Sequence, residues 1–511
     1  MIGEHSATAS VNWPTISGDP SFAINTITSH WLVVYPRFPS RVHEKLLRNE
    51  LRTGLDLYTA RVLTPVQRAY YVGFVACAVV CFTPFKLLTY ALPVLLIAWL
   101  VVTAGTVGMR NRLVVVVGGA VGLGAFYELA AEDLLVTNYV LALITYSAIL
   151  PVLVVESRSI ASIALFEKQA GVALRLLAVE GVVGTIQAIY GATETGSFGG
   201  ANGDHVAGTI HPYLSAELAF SNPVFAVNMA VMILACLAVP NLARRRSLSL
   251  ALGGIALVLA SVVHVLVFLV AAIAFALLTT RRTKGAPRRR LRVGRLAVVG
   301  ALVAGVGYVA LADNLEGISR VGAQAIDLDA VDIPRAILLS RVFSELPDDA
   351  PEQPYIGLGP GQFSSRASLI ASGLYLGGPD SPRPVPLLSP QATRLASSYC
   401  FSLLVAYKES DLVIGSTEQP FFSMLSIYTE LGIIGLAIVL GWLVVIIRRV
   451  QRRVRERPEL YTRGLMFVTA VGFFTLIGLQ DNYWESPQAL LIGLLMLHVL
   501  YATIMYEPID A

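Results

Sequence analysis

The side chains best suited to holding an anion in this sequence are Arg335, Arg341 and Arg366, which fall in an otherwise acidic stretch. Between Asp313 and Phe421 there are thirteen Asp and Glu against seven Lys and Arg. A guanidinium presents paired N–H donors that match a phosphate, as the point charge of a lysine does not. Arg335 and Arg341 sit on a segment, 331–346, in which Ile333, Ile337, Leu338, Val342 and Leu346 recur at helical spacing. Such a helix is expected to lie on a membrane surface with both arginines at headgroup depth. Alternatively, Arg341 pairs with Glu345 one turn on and both are simply solvated. Asp411 and Glu418 are the carboxylates nearest the end of the stretch. Either could be a general base at a membrane-edge cleft or an ordinary loop acid.

Two short runs stand out beside these. In Tyr355-Ile-Gly-Leu-Gly-Pro-Gly-Gln-Phe363, Gly357, Gly359 and Gly361 surround Pro360, so the backbone must bend tightly or approach something closely. Gly359 and Gly361 are therefore substrate-binding candidates, with a plain structural turn as the other reading. The second run, Tyr428-Thr-Glu-Leu-Gly-Ile-Ile-Gly-Leu436, opens an apolar segment. Elsewhere, Glu180 and Gln187 share one face of an apolar helix, two turns apart. A charge there is costly and must face a polar cavity or another helix; both options stay open for Glu180. His211, on the following loop with His205, is a catalytic candidate set against a structural histidine. His264 caps a tight helical hairpin, and Asp481 and Glu485 read as interface acids.

The chain that carries these residues is a membrane protein by composition. Of its 511 residues 55% are hydrophobic and 14% charged, and the mean hydropathy is +0.67, far from the balance of a soluble globule. Apolar runs of the roughly 17 to 25 residues that cross a bilayer occur at 69–85, 87–108, 113–129, 134–155, 171–190, 219–239, 296–312, 423–447, 464–480 and 487–505. The run 247–280 is too long for one span and is divided near His264. That makes about twelve helices in an all-α polytopic fold. The chain then divides into five segments: 1–68 cytoplasmic, 69–312 with spans one to nine, a large outer loop at 313–422, 423–505 with the last three spans, and a tail at 506–511.

Charge sets the orientation. Arg110 and Arg112, Arg158 and Lys168, Arg244 to Arg246, the run Arg281 to Arg295, and Arg448 to Arg463 fall in alternate connections, while the others carry almost no basic residue. Both termini are thus expected in the cytoplasm and the 313–422 loop outside. The Arg281–Arg295 run is read as a topology anchor meeting lipid headgroups rather than a nucleic-acid site. The four cysteines, Cys77, Cys81, Cys236 and Cys400, show no metal-ligand spacing. No phosphate loop, dinucleotide fingerprint, HExxH or GxSxG occurs, so neither a metal nor a cofactor is expected.

A ring of spans, one large outer loop before the last three, a Gly-x-Gly-Pro-Gly-x-Phe turn within it and an exit helix reading Glu-Leu-Gly-Ile-Ile-Gly-Leu resemble the O-antigen polymerase and ligase superfamily. The layout resembles it from about 130 to 480, with motifs at Tyr355 to Ser365 and Ser423 to Gly441. The resemblance implies a GT-C-type membrane glycosyltransferase at the outer face of the bacterial inner membrane. Its donor would be a polyprenyl-diphosphate-linked glycan, its surroundings membrane lipids, and a chain-length regulator a possible partner; no nucleic acid is involved. Arginines would stabilise the diphosphate leaving group and a base would take the acceptor proton. Ligases of this superfamily carry a His-Asn pair ahead of the exit helix, where this chain has Glu418-Gln-Pro-Phe-Phe-Ser423 and its loop has no histidine. That departure favours a polysaccharide polymerase. The alternatives are an O-antigen ligase, another outer-face glycosyltransferase of cell-wall synthesis and a twelve-span secondary transporter; the last is disfavoured by the absence of matching halves.

Overall fold

A computed structural model describes residues 63–84, 86–103, 107–130, 134–196, 205–212, 221–280, 334–377, 381–383, 389–409 and 420–506. Among the described residues the chain is 83% helical with no strand. The main helices are α1 Pro65–Cys81, α2 Lys86–Thr103, α3 Val107–Ala130, α4 Val136–Val154 with a 3-10 turn inside it, α5 Ile163–Thr195, α6 Ser221–Leu237, α7 Ser247–Leu259, α8 Val263–Thr279, α9 Pro334–Ser344, α10 Arg366–Ala371, α11 Ser423–Glu456, α12 Tyr461–Ile477 and α13 Pro487–Tyr506. Six of these, α3, α4, α5, α11, α12 with its Pro458 lead-in, and α13, are long and apolar enough to cross a membrane. The shorter α1, α2, α6, α7 and α8 stand where other spans are expected. The expected span 296–312, the basic run Arg281–Arg295 and residues 1–62 lie outside the described residues.

Local sequence explains where these helices start and stop. Pro65 occupies the first turn of α1, and Thr64 and Gln67 close a reciprocal capping box over its free N–H groups. Ser162 caps α5 by accepting from the Leu165 N–H, and Gly196 ends the helix in the left-handed conformation. Packing decides what each helix faces. In α13, 78% of the most apolar stretch is buried against 6% in α3, so α13 is central and α3 peripheral. The valines of α3, Val114, Val115, Val117 and Val121 among them, are exposed. In a membrane chain that is a lipid-facing surface rather than an uncovered patch.

The two ends of the bundle differ. At one end, Tyr70 of α1 and Ser157, before α5, both hydrogen-bond to His498 of α13, and Arg112 at the start of α3 pairs with Glu156 at 3.6 Å. At the other, Asn222 at the start of α6 donates to the Ala260 carbonyl just past α7, and Gln488 at the start of α13 donates to the Cys81 carbonyl ending α1, each at 2.9 Å. Arg110, Arg112 and Arg158 belong to the first end. The polar excursion, α9 and α10 included, sits at the second.

The 247–280 run breaks after Leu259 and resumes at Val263, with Ser261 at a φ of 54°. It does not form the tight hairpin expected. α7 packs on α5, where Gly181 lets Leu252 approach closely, whereas α8 packs on α12. The arms part because each has a better apolar partner than the other.

A second expectation is corrected in α9. Its apolar stripe does not lie on a membrane: Leu338, Val342 and Leu346 are fully buried in a separate small core with Phe363, Leu369, Cys400, Phe401 and Phe422. The amphipathic pattern is real, but the excursion supplies its own apolar cover. α11 also differs from a plain span. Gly432, at φ 66° and ψ −174°, interrupts it. Before the break Ser423, Ser426, Thr429 and Glu430 are buried, and after it Ile433, Ile434, Ile438 and Trp442 are exposed. The buried, polar first part and the lipid-facing second part are joined by one non-helical residue.

Candidate functional site

The first part of α11 is buried because the glycine run lies against it. Leu358 and Gly359 donate their backbone N–H groups to the carbonyls of Thr429 and Glu430, each at 2.9 Å. The Glu430 carboxylate accepts from the N–H of Gly361 at 2.6 Å and from those of Phe363 and Ser365 at 3.1 Å. The break at Gly432 frees main-chain groups that a continuous helix would occupy, and the glycines permit the approach. A Cβ on Gly357 would stand 2.2 Å from the Glu430 carbonyl carbon, and one on Gly432 would stand 2.1 Å from the Tyr355 oxygen. Both glycines also hold positive φ, which other residues adopt at a cost. The run is held from its other side by α4: Asn138 donates to the Gly361 carbonyl at 3.1 Å, and Gln362 exchanges hydrogen bonds with Leu135. Tyr127 of α3 donates to the Ile356 carbonyl.

This clasp fixes the residues next to it in sequence. Ser365 caps α10 through the Ser368 N–H, and the Arg366 N–H donates to Glu485 Oε2 in the α12–α13 turn. The same turn receives the start of α11: Ser423 N–H donates to the Asp481 carbonyl at 3.2 Å, Met424 N–H to that of Gly478 at 3.0 Å. Asn482 and Ser426 both donate to the Ser364 carbonyl at 3.2 Å. Arg335 reaches the turn from α9. It donates to the Gln480 carbonyl at 2.6 Å and to its side-chain oxygen at 3.4 Å, with its guanidinium 5.3 Å from the Phe422 ring centroid. Arg366 turns the other way onto Tyr375, 4.6 Å from that ring centroid, and donates to its hydroxyl. Behind Arg335, His264 and the Tyr483 hydroxyl lie 2.8 Å apart.

Exposure sorts the charges gathered here. Glu430 is 2% exposed and Glu485 is fully buried, whereas Arg335, Arg366 and Asp481 are half-buried. Burial pushes the Glu485 carboxyl well above its ordinary range, and the neighbouring Glu430 adds to the shift. Asp481 is also raised by desolvation, held back by the Asn482 N–H and then by Arg366 and Arg335. Desolvation lowers Arg335, opposed first by Asp481 and then by Tyr483. The cluster thus holds two half-buried cations and one half-buried acid beside two sealed acids, Glu430 and Glu485.

Of the residues singled out in the sequence, Arg335 and Arg366 both meet the α12–α13 turn, Arg335 through its guanidinium and Arg366 through its main chain. Arg341, further along α9, makes no side-chain hydrogen bond or ion pair among the described residues, so the alternative pairing with Glu345 is not formed. Asp411 and Glu418 lie outside the described residues. The N–H groups of Gly359 and Gly361 are taken up by Glu430. Glu180 belongs to a different place: its oxygens accept from the N–H of Thr209, at 2.8 Å, and from its hydroxyl. Gln187 accepts from Ala207 and Gly208 and donates to the carbonyls of Gly208 and His211. The pair on one face of α5 therefore holds the 205–212 segment, and the main chain of His211 is part of what is held.

Sequence reasoning assigned no role to Glu430 and read Asp481 and Glu485 as interface acids. The signal for Glu430 was present, a lone carboxylate eight residues into an apolar helix. Nothing local marks Asp481, whose neighbours Arg335 and Arg366 are 146 and 115 residues away in sequence. Among the described residues no group of three His, Cys, Asp or Glu is placed to hold a metal ion. No protein-family model matches this chain, and no curated protein sequence matches it either.

Proposed function

We propose that this protein joins polyprenyl-diphosphate-linked oligosaccharide repeat units into an exopolysaccharide, capsule or O-antigen chain at the outer face of the inner membrane. The observation that carries the reading is that Arg335 and Arg366, from separate segments of the excursion, both meet the α12–α13 turn, Arg335 through its guanidinium on the Gln480 carbonyl and Arg366 through its N–H on Glu485. Two guanidiniums at the polar end of an apolar bundle suit a diphosphate whose lipid tail lies in the bilayer. The remaining spans complete about twelve in this reading, with both termini cytoplasmic. Arg110, Arg112 and Arg158, at the end away from the cluster, agree with that orientation. The two runs that resemble the polymerase and ligase superfamily are the two that clasp each other. A transporter reading would look to the break in α11 for an ion site, but the carbonyls of Thr429 and Glu430 there already accept from the glycine run.

Deleting the protein is expected to leave cells with lipid-linked single repeat units and no long polysaccharide, resolved by extraction and gel analysis of both pools. An unchanged chain-length distribution would overturn the proposal.

A further inference from the structure

We propose that the far end of α11 is a docking surface for anionic phospholipid, binding the headgroups of the leaflet at the end of the bundle away from the excursion. Past the break at Gly432, one face of α11 stays exposed along its length: Ile434, Ile438 and Val445, then Arg448, Arg452 and Arg455. The steps between them are three, four or seven residues, so all six share one stripe. The stripe is apolar as far as Val445 and cationic from Arg448 on. Arg449 extends the row beside it, four places after Val445 and seven after the exposed Trp442. The surface is independent of the reaction proposed at the other end.

What α11 buries fixes its rotation. Val450 and Val454, on the opposite face, belong to the main core, and a Cβ on Gly464 of α12 would stand 2.2 Å from Val454. The arginines therefore point away from the bundle, on the side where Ile434 and Ile438 face acyl chains. None of Arg448, Arg449, Arg452 and Arg455 forms an ion pair among the described residues, and the nearby Glu456 carboxylate is taken by Arg453 at 3.4 Å. Depth follows from length. As helix, Ile433 to Ile447 rises about 22 Å, less than the roughly 30 Å of hydrocarbon in a bilayer. Arg448 and Arg449 thus start at the edge of the acyl region, where their stems lie along the chains while the guanidiniums reach the phosphates. Arg452 and Arg455 follow one and two turns further out, within the headgroups. Four unpaired guanidiniums suit a phosphodiester with net negative charge; a zwitterionic headgroup brings its own cation. An acidic protein would have to displace the lipid that already meets the same stripe.

The native cysteines are all buried, so a fluorophore on Val445→Cys reports on the lipid at this stripe. The labelled full chain is reconstituted in phosphatidylcholine liposomes, and quenching by brominated phosphatidylglycerol is compared with quenching by brominated phosphatidylcholine. At low salt, phosphatidylglycerol should be preferred about fivefold, the weight of one basic side chain near an anionic surface. The preference should fall toward one at about 1 M salt, where the screening length shrinks to about 3 Å. Changing Arg448, Arg449, Arg452 and Arg455 together to Gln should abolish it at an unchanged Tm, and changing them to Lys should keep part of it. Equal quenching by the two lipids at low salt, with the arginines in place, overturns the proposal. So does a preference that salt leaves unaltered, which decides the matter if the Gln variant is not recovered folded. Binding of polyglutamate at the label without any lipid preference would give the stripe to an acidic protein and overturn the proposal as well.

Discussion

Among the described residues two buried glutamates sit in apolar helices, Glu180 in α5 and Glu430 in α11, and each holds down a polar segment. They do so to different depths. Glu430 gathers three backbone N–H groups of the glycine run, and the carbonyls beside it take two more. Among the described residues Glu180 receives only Thr209, and Gln187 two turns along holds the rest of its segment. A carboxylate buried in an apolar helix is stable only with such donors around it. The consequence is that neither glutamate is open to a substrate. Asp481 lies in a short turn that neither apolar helix contains.

The difference in depth can be broken from the glycine side first. Gly432→Ala should have the largest effect. It places a Cβ 2.1 Å from the Tyr355 oxygen and adds the roughly 1–3 kcal/mol cost of a side chain in a positive-φ region that essentially only glycine occupies. Loss of the folded protein from the membrane, or a strongly lowered Tm in detergent, is the expected result; a wild-type Tm would show that the run is not clasped as described. Glu430→Ala comes next, because it orphans three buried N–H groups at about 1–3 kcal/mol each. Proteolysis within 355–365 should accelerate in that variant, and protection equal to wild type would contradict the clasp. Glu180→Gln should cost less, about 1–3 kcal/mol for a single weakened contact, since Gln187 remains. Any recovered Glu180→Gln protein should polymerise normally, and selective loss of activity at full stability would place Glu180 in the site after all. The smallest effect is expected for Arg341→Ala, whose polymer yield should match wild type.

How much of the molecule was legible in the sequence depends on the range of the interactions. Helices and their ends were readable because capping, apolar runs and breaks are local; the interruption near His264 and the apolar stripe of α9 are examples. What the stripe faces was not readable, because Phe363, Cys400 and Phe422 cover it from 21 to 80 residues beyond Val342. The two motif-like runs were visible one at a time. Their pairing was not, since the Glu430 contacts to Gly361, Phe363 and Ser365 span 65 to 69 residues. The arginines were found by type, and the structure separates them by place: Arg335 and Arg366 enter the cluster while Arg341 stays outside it.

In the proposed reaction Arg335 holds the diphosphate of the donor as it leaves. The most direct test compares purified wild type and Arg335→Ala, at matched abundance and Tm, on lipid-linked single repeat units in liposomes. Wild type is expected to yield a ladder of joined units, and Arg335→Ala to be slower by about 10²- to 10³-fold. Equal ladders from the two proteins would remove Arg335 from the reaction, and wild type that leaves every unit unjoined would remove the reaction itself.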